Sequence, residues 1–126
     1  MRGGQIMDKW QALSDFFNGF GVSAYEVGCV PDTAVFPRIT YESRTASIGE
    51  PIQIDASVWD YNESSFANVD RIVDNIEKAI NIMDCPRIDG GRYRVYKGTP
   101  FAQRMSDENP NIRRTILHIN FEFLTE

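Results

Sequence analysis

Between Phe66 and Met83 the apolar residues Phe66, Val69, Ile72, Val73, Ile76, Ile80 and Met83 recur every three or four positions. Only a helix, with about 3.6 residues per turn, brings such positions onto one stripe. That stripe needs an apolar surface to lie on, and the best candidates in the chain follow a different period. Ile52, Ile54, Ala56 and Val58 alternate with Gln53, Asp55, Ser57 and Trp59. Thr115, Leu117, Ile119, Phe121 and Phe123 alternate with Ile116, His118, Asn120 and Glu122. Period two places successive side chains on opposite faces of a strand, so each segment offers one buried and one wet face. This is the pattern of an antiparallel sheet covered on a single side. Ser64 or Ser65 is placed to cap the helix, and Pro86 to stop it.

The remaining segments fit the same layers. Ile6, Trp10, Leu13, Phe17 and Phe20 predict a first helix over roughly residues 7 to 19, with Asp8 as cap and Asn18-Gly19 as stop. Phe16 and Trp10 exceed what one stripe needs, so one of them is a candidate partner contact. Tyr25 to Cys29 reads as a short strand, followed by a turn-rich connector between Pro31 and Pro37. In Arg38 to Ser43, Ile39 and Tyr41 face one way and Arg38, Thr40 and Glu42 the other. "RIDGGRYRVYKG" predicts a hairpin, because Asp-Gly-Gly accommodates the positive φ angles of a tight turn. The expected fold is a single α+β domain over residues 1–126: a mainly antiparallel twisted sheet with two helices packed on one face. Two polar arms without periodicity, at 43–50 and 98–114, complete it. Connections beyond roughly 12–15 residues are usually functional or disordered, which leaves the second arm open as a cover for an active site, a grip on nucleic acid or a reach to a neighbouring subunit.

Composition limits the functions available. The chain has 126 residues, a net charge of −5, two cysteines and one histidine. A domain of this size buries enough surface to need no disulfide or metal. The two cysteines, Cys29 and Cys85, form no CxxC and are expected as free, partly buried thiols. No run approaches the ~18 apolar residues of a membrane helix. The opening MRGGQIMDKW lacks a signal-peptide core, which points to the cytosol, and Met7 is a second possible start.

Catalytic patterns are scarce. GxGxxG, GxxxxGK[ST] and HExxH do not occur, and His118 stands mid-strand with no nucleophile motif beside it. Asp55 with Asp60, or Asp107 with Glu108, matches no calcium loop and reads as solvated charge. No catalytic residue, metal or cofactor is assigned, and the expectation is a non-enzyme. The nucleic-acid alternative rests on Arg87, Arg92, Arg94 and Lys97 interleaved with Tyr93 and Tyr96. Strand alternation divides that set between two faces, and the negative net charge disfavours it.

Taken together, the aromatic first helix, "VPDTAVFPRITYES", "SVWDYNES" with its following helix, and "PFAQRMSDENPNIRRTILHINFEFLTE" resemble the tail terminator, or tail completion, proteins of long-tailed bacteriophages. The likeness is sharpest at Val30-Pro31-Asp32, at Trp59 leading into Ser64-Ser65, and from Asp107 through Arg113-Arg114 to the closing Phe123-Leu124-Thr125-Glu126. Head-completion and neck proteins of similar size are the nearest confusable group. The resemblance implies a structural virion protein at the head–tail junction, assembled in the host cytoplasm. It would close the tail tube as a ring, usually a hexamer, that stops tube growth and offers a surface to the head or neck. Its partners would be other copies of itself, the major tail tube protein and a head-completion or neck protein, with DNA passing through unbound. A net negative wall repels DNA in transit, which suits that role. The residues expected at subunit or partner contacts are Tyr41, Arg44, Trp59, Tyr61, Gln103, Arg104, Asp107, Glu108, Arg113 and Arg114.

Overall fold

The structure is a computed structural model that describes residues 9–43, 52–83, 86–88 and 91–125. Its elements are α1 (Lys9–Phe17), β1 (Ser23–Glu26), β2 (Arg38–Ser43), β3 (Ile52–Tyr61), α2 (Ala67–Ile82), β4 (Arg87–Ile88), β5 (Gly91–Met105) and β6 (Ile112–Thr125). The strands form one sheet in the order β1-β2-β3-β6-β5-β4, antiparallel except for the β1–β2 pair. The α+β architecture expected from the two periods is therefore present, with both helices on the same side.

Register explains which face they take. Ile39 pairs with Val58 and Tyr41 with Ala56, while across the next ladder Ile52 faces Phe121, Ile54 faces Ile119 and Ala56 faces Leu117. These side chains share one face and are buried with Leu13, Phe16 and Phe17 of α1 and with Val69, Ile72, Ile76 and Ile80 of α2. Each fully buried residue of this kind stabilises by about 1.5–3 kcal/mol. Aromatic edges complete the seam: Phe16 meets Phe121 edge-on at 5.3 Å, and Phe17 stacks on Tyr41 at 4.7 Å.

Several expectations need correction. Trp10 does not join the core stripe of α1; it is 54 % exposed, and Phe16 takes the buried place instead. The α-helix ends at Phe17, at the Asn18-Gly19 stop, but the chain continues as a 3-10 turn through Phe20 before Gly21, at φ 80°, turns it. Asn18 locks this corner, donating from Nδ2 to the Ser14 carbonyl and accepting at Oδ1 from the Ala24 amide. Asp8 lies outside the described residues. No side chain caps α2 at its N-cap residue, Phe66; Ser65 Oγ accepts from the Ala67 amide, and Asn62 Oδ1 accepts from the amides of Ser64 and Ser65. The helix ends at Ile82, ahead of Pro86. Cys29 is exposed and free rather than partly buried, and Cys85 lies outside the described residues. No helix among the described residues is long and apolar enough to cross a membrane.

The largest correction concerns the second arm. Residues 98–105 belong to β5, which continues past a register shift between Lys97 and Ala102, and only 106–111 connect it to β6. Of the first arm, 44–50 lies outside the described residues.

Candidate functional site

The face of the sheet turned away from α1 and α2 collects side chains whose positions in the chain are far apart. Register sets three rows across β2, β3 and β6. Arg38, Trp59 and Arg114 form the first, Thr40, Ser57 and Ile116 the second, and Glu42, Asp55 and His118 the third. Four residues of strand separate the basic row from the acidic one, about 13 Å at about 3.4 Å per residue. Together with Val27, Gly28 and Val30 after β1, these residues other than His118 line a groove of about 430 Å³.

The basic row is built by stacking. The Arg114 guanidinium lies 4.3 Å from the centre of the Trp59 ring, and its Nε donates to Ser57 Oγ at 3.1 Å. Trp59 Nε1 donates to Thr40 Oγ1 at 2.9 Å, which fixes the indole flat against the sheet. The Arg38 guanidinium lies 4.3 Å from the Phe36 ring, and its buried Nε finds no hydrogen-bond partner among the described residues. Cation–π contacts of this type contribute about 0.5–2 kcal/mol, more as water is excluded.

In the acidic row, His118 Nδ1 meets Asp55 Oδ1 at 3.0 Å, and Nε2 meets the Gln103 side-chain oxygen at 3.1 Å. With Nδ1–H given to the carboxylate, Nε2 donates to that oxygen when the ring is charged. With the amide turned over, a neutral ring accepts from Gln103 instead. A carboxylate–imidazole pair also occurs in catalytic sites, where the ring serves a side-chain nucleophile, a water or a substrate group within its reach. Here the neighbouring hydroxyls of Ser57 and Thr40 are bonded to Arg114 and Trp59. The arrangement ties β3, β5 and β6 together across this face through Asp55, Gln103 and His118.

The ten residues expected at contacts divide sharply. Trp59 and Arg114 stand together in the groove. Tyr61 is 48 % exposed on the same face. Gln103 is exposed beside His118. Tyr41 is only 5 % exposed and belongs to the core, so it offers no surface to a neighbour; burial also pushes its phenol above the usual range. Its parity with Ile39 had already placed it on the covered side. Arg104, though exposed, and half-buried Arg113 both reach toward α2, flanking the Phe66 ring at 4.3 and 5.4 Å. Arg104 pairs with Asp70 at 2.7 Å, and Arg113 donates to the Asn62 and Glu63 carbonyls, so both fasten the start of α2. Asp107 and Glu108 lie in the β5–β6 turn, and Arg44 lies outside the described residues.

Sequence reasoning missed Arg38, because only cross-strand register shows that it stands beside Trp59. The basic hairpin is dispersed, as alternation implied: Tyr93 and Val95 are buried, Arg94 pairs with Glu122, and Lys97 with Glu77 at 2.9 Å. Asp55 and Asp60 point to opposite faces of β3; Asp60 is buried and accepts from Asn68 Nδ2 at 2.9 Å. Among the described residues no group of three His, Cys, Asp or Glu side chains is placed to hold a metal ion.

No known family model matches the chain, and no curated protein matches it in sequence.

Proposed function

We propose that this protein is a structural virion component. It caps the tail tube of a long-tailed phage as a ring, usually hexameric, ends tube polymerisation and presents an attachment surface to the head or neck. The observation that supports this reading best is a convergence. The three stretches that carry the likeness to tail terminators, around Val30-Pro31-Asp32, Trp59 and Arg113-Arg114, contribute Val30, Trp59 and Arg114 to one groove. Packing within the subunit does not require that convergence, since the core lies on the opposite face. Aromatic and arginine side chains on an uncovered face are the composition of a protein interface. The sheet also keeps an edge: β4 pairs only with Gly91 and Arg92, and no other described strand lies along the outer side of β5. An open edge and an open face allow the same subunit to contact two neighbours.

In this role the partners are further copies of the chain, the major tail tube protein and a head-completion or neck protein. DNA passes the ring without specific binding, repelled by the charge of −5 that each copy brings. The test is to mix the purified chain with growing tail tube protein and image the product by negative stain. Tubes of bounded length with a ring at one end are expected. Tubes that elongate without limit and carry no bound chain would overturn the reading.

A further inference from the structure

Within the subunit, Arg94, Lys97 and Arg104 each meet a carboxylate. Arg38 and Arg114 do not: both line the groove, Arg38 over the Phe36 ring and Arg114 over the Trp59 ring, with no acidic partner among the described residues. The complementary surplus lies in the turn between β5 and β6. Neither Asp107 nor Glu108 has a cationic partner among the described residues, and Glu108, Asn109 and Pro110 are exposed.

That turn is already shaped. Asp107 Oδ1 accepts from the Asn109 amide, and Asn109 Oδ1 accepts from the Asn111 amide, both at 2.9 Å. The Ile112 amide donates to the Asn109 carbonyl at 3.0 Å, and the Asn62 amide to the Asn111 carbonyl at 2.8 Å. A segment held this way loses little conformational freedom when it docks. Stacked guanidiniums are likewise fixed in plane, which suits paired hydrogen bonds to a carboxylate.

We propose that the Asp107–Glu108 turn of one copy enters the Arg38–Trp59–Arg114 groove of the next. The inference rests on the ring reading and supplies its contact. Turn and groove are different patches of one surface, so the contact is head-to-tail, the type that closes into a ring when the rotation allows. Glu42 and Asp55, about 13 Å further along the groove, would repel an acidic segment placed there and so fix which end it occupies.

The test uses the full chain in solution, with nitrogen–proton NMR spectra recorded from about 10 µM to about 1 mM protein. The indole N–H of Trp59 is expected to shift with concentration while that of Trp10, exposed on α1, stays in place. Glu108→Lys, at an exposed position with no ion pair among the described residues, should weaken this association about tenfold. Mixing Glu108→Lys with Arg38→Glu should restore it, because the reversed charges then match. If Arg38→Glu does not fold, Arg38→Gln should show the same weakening on its own. A Trp59 signal that never moves, or that moves equally in Glu108→Lys, overturns the proposal. Rings and capped tubes that form normally from Glu108→Lys would remove this contact and leave the ring reading standing. A charge-dependent Trp59 shift in a chain that never closes tubes would do the reverse.

Discussion

Gly98 rests directly on His118: a β-carbon added to Gly98 would stand 2.9 Å from the His118 β-carbon and 3.0 Å from its carbonyl oxygen. The close approach occurs where β5 shifts register against β6, and it lets Gln103 come back to the imidazole. Both obstructing atoms belong to or adjoin the β6 backbone, so a methyl group cannot be absorbed by a swinging side chain. Gly98→Ala should therefore cost about 1–3 kcal/mol. Thermal unfolding should shift down by roughly 5–15 °C. NMR spectra should show the His118 ring signals displaced as its contacts to Asp55 and Gln103 are lost. An unchanged melting temperature would mean that β5 can move away freely.

Helix α2 is fastened to the sheet by Ile76, which is fully buried beside Ile72 and Ile80. Ile76→Ala removes three carbons from a packed site and should cost about 2–5 kcal/mol. Ile76→Asp adds a buried charge without a partner and should leave no folded subunit. Chemical denaturation of the first variant and far-UV circular dichroism of the second check both statements.

Tyr41 and Tyr93 give the fold an alkaline limit. Burial raises both phenols above their usual 10.0; a hydrogen bond from the Ser14 side chain opposes this at Tyr41, and the charge of Asp15 adds to it at Tyr93. The folded state thus favours the neutral ring. Its contribution is fully present below pH 10 and is lost as pH rises past 10 toward the raised folded values. Absorbance at 295 nm should show two tyrosines ionising late and together with unfolding, whereas Tyr41→Phe should delay that loss. Five tyrosines titrating alike, with the fold intact, would contradict this.

Much of this architecture was legible from period alone. Ile52–Tyr61 and Arg38–Ser43 emerge with the bounds that alternation assigned, and α2 begins one residue after Phe66. Beyond Lys97, alternation misled for a physical reason. The strand slips register there, so the parity of side chains is not continuous across Gly98 to Phe101. On either side of the slip, Lys97 and Arg104 face the helix layer at its rim, where Glu77 and Asp70 receive them. Charged residues on a covered face make a strand look like a polar loop. The groove was half visible: alternation puts Trp59 on the open face, but Arg114 falls at the end of the stretch without periodicity, and no single-chain pattern reveals that Arg38 and Arg114 lie across from Trp59.

That misreading changes what removal of the segment should do. As a loop, Gln103 to Asn111 would be dispensable for folding; as built, Gln103, Arg104 and Met105 pair with Ile116, Thr115 and Arg114. Deleting 103–111 takes away those ladder bonds, the Gln103 contact to His118 and the Arg104–Asp70 pair, so the subunit should lose cooperative unfolding. Replacing only Ser106 to Asn111 with a short Asn-Gly turn keeps the ladder and should cost about 1–2 kcal/mol, chiefly through the lost Asn62–Asn111 bond. The shortened chain should still melt in one transition and, under the proposed ring contact, fail to cap tubes. A 103–111 deletion that melts as sharply as the intact protein would show that the end of β5 contributes nothing to the fold.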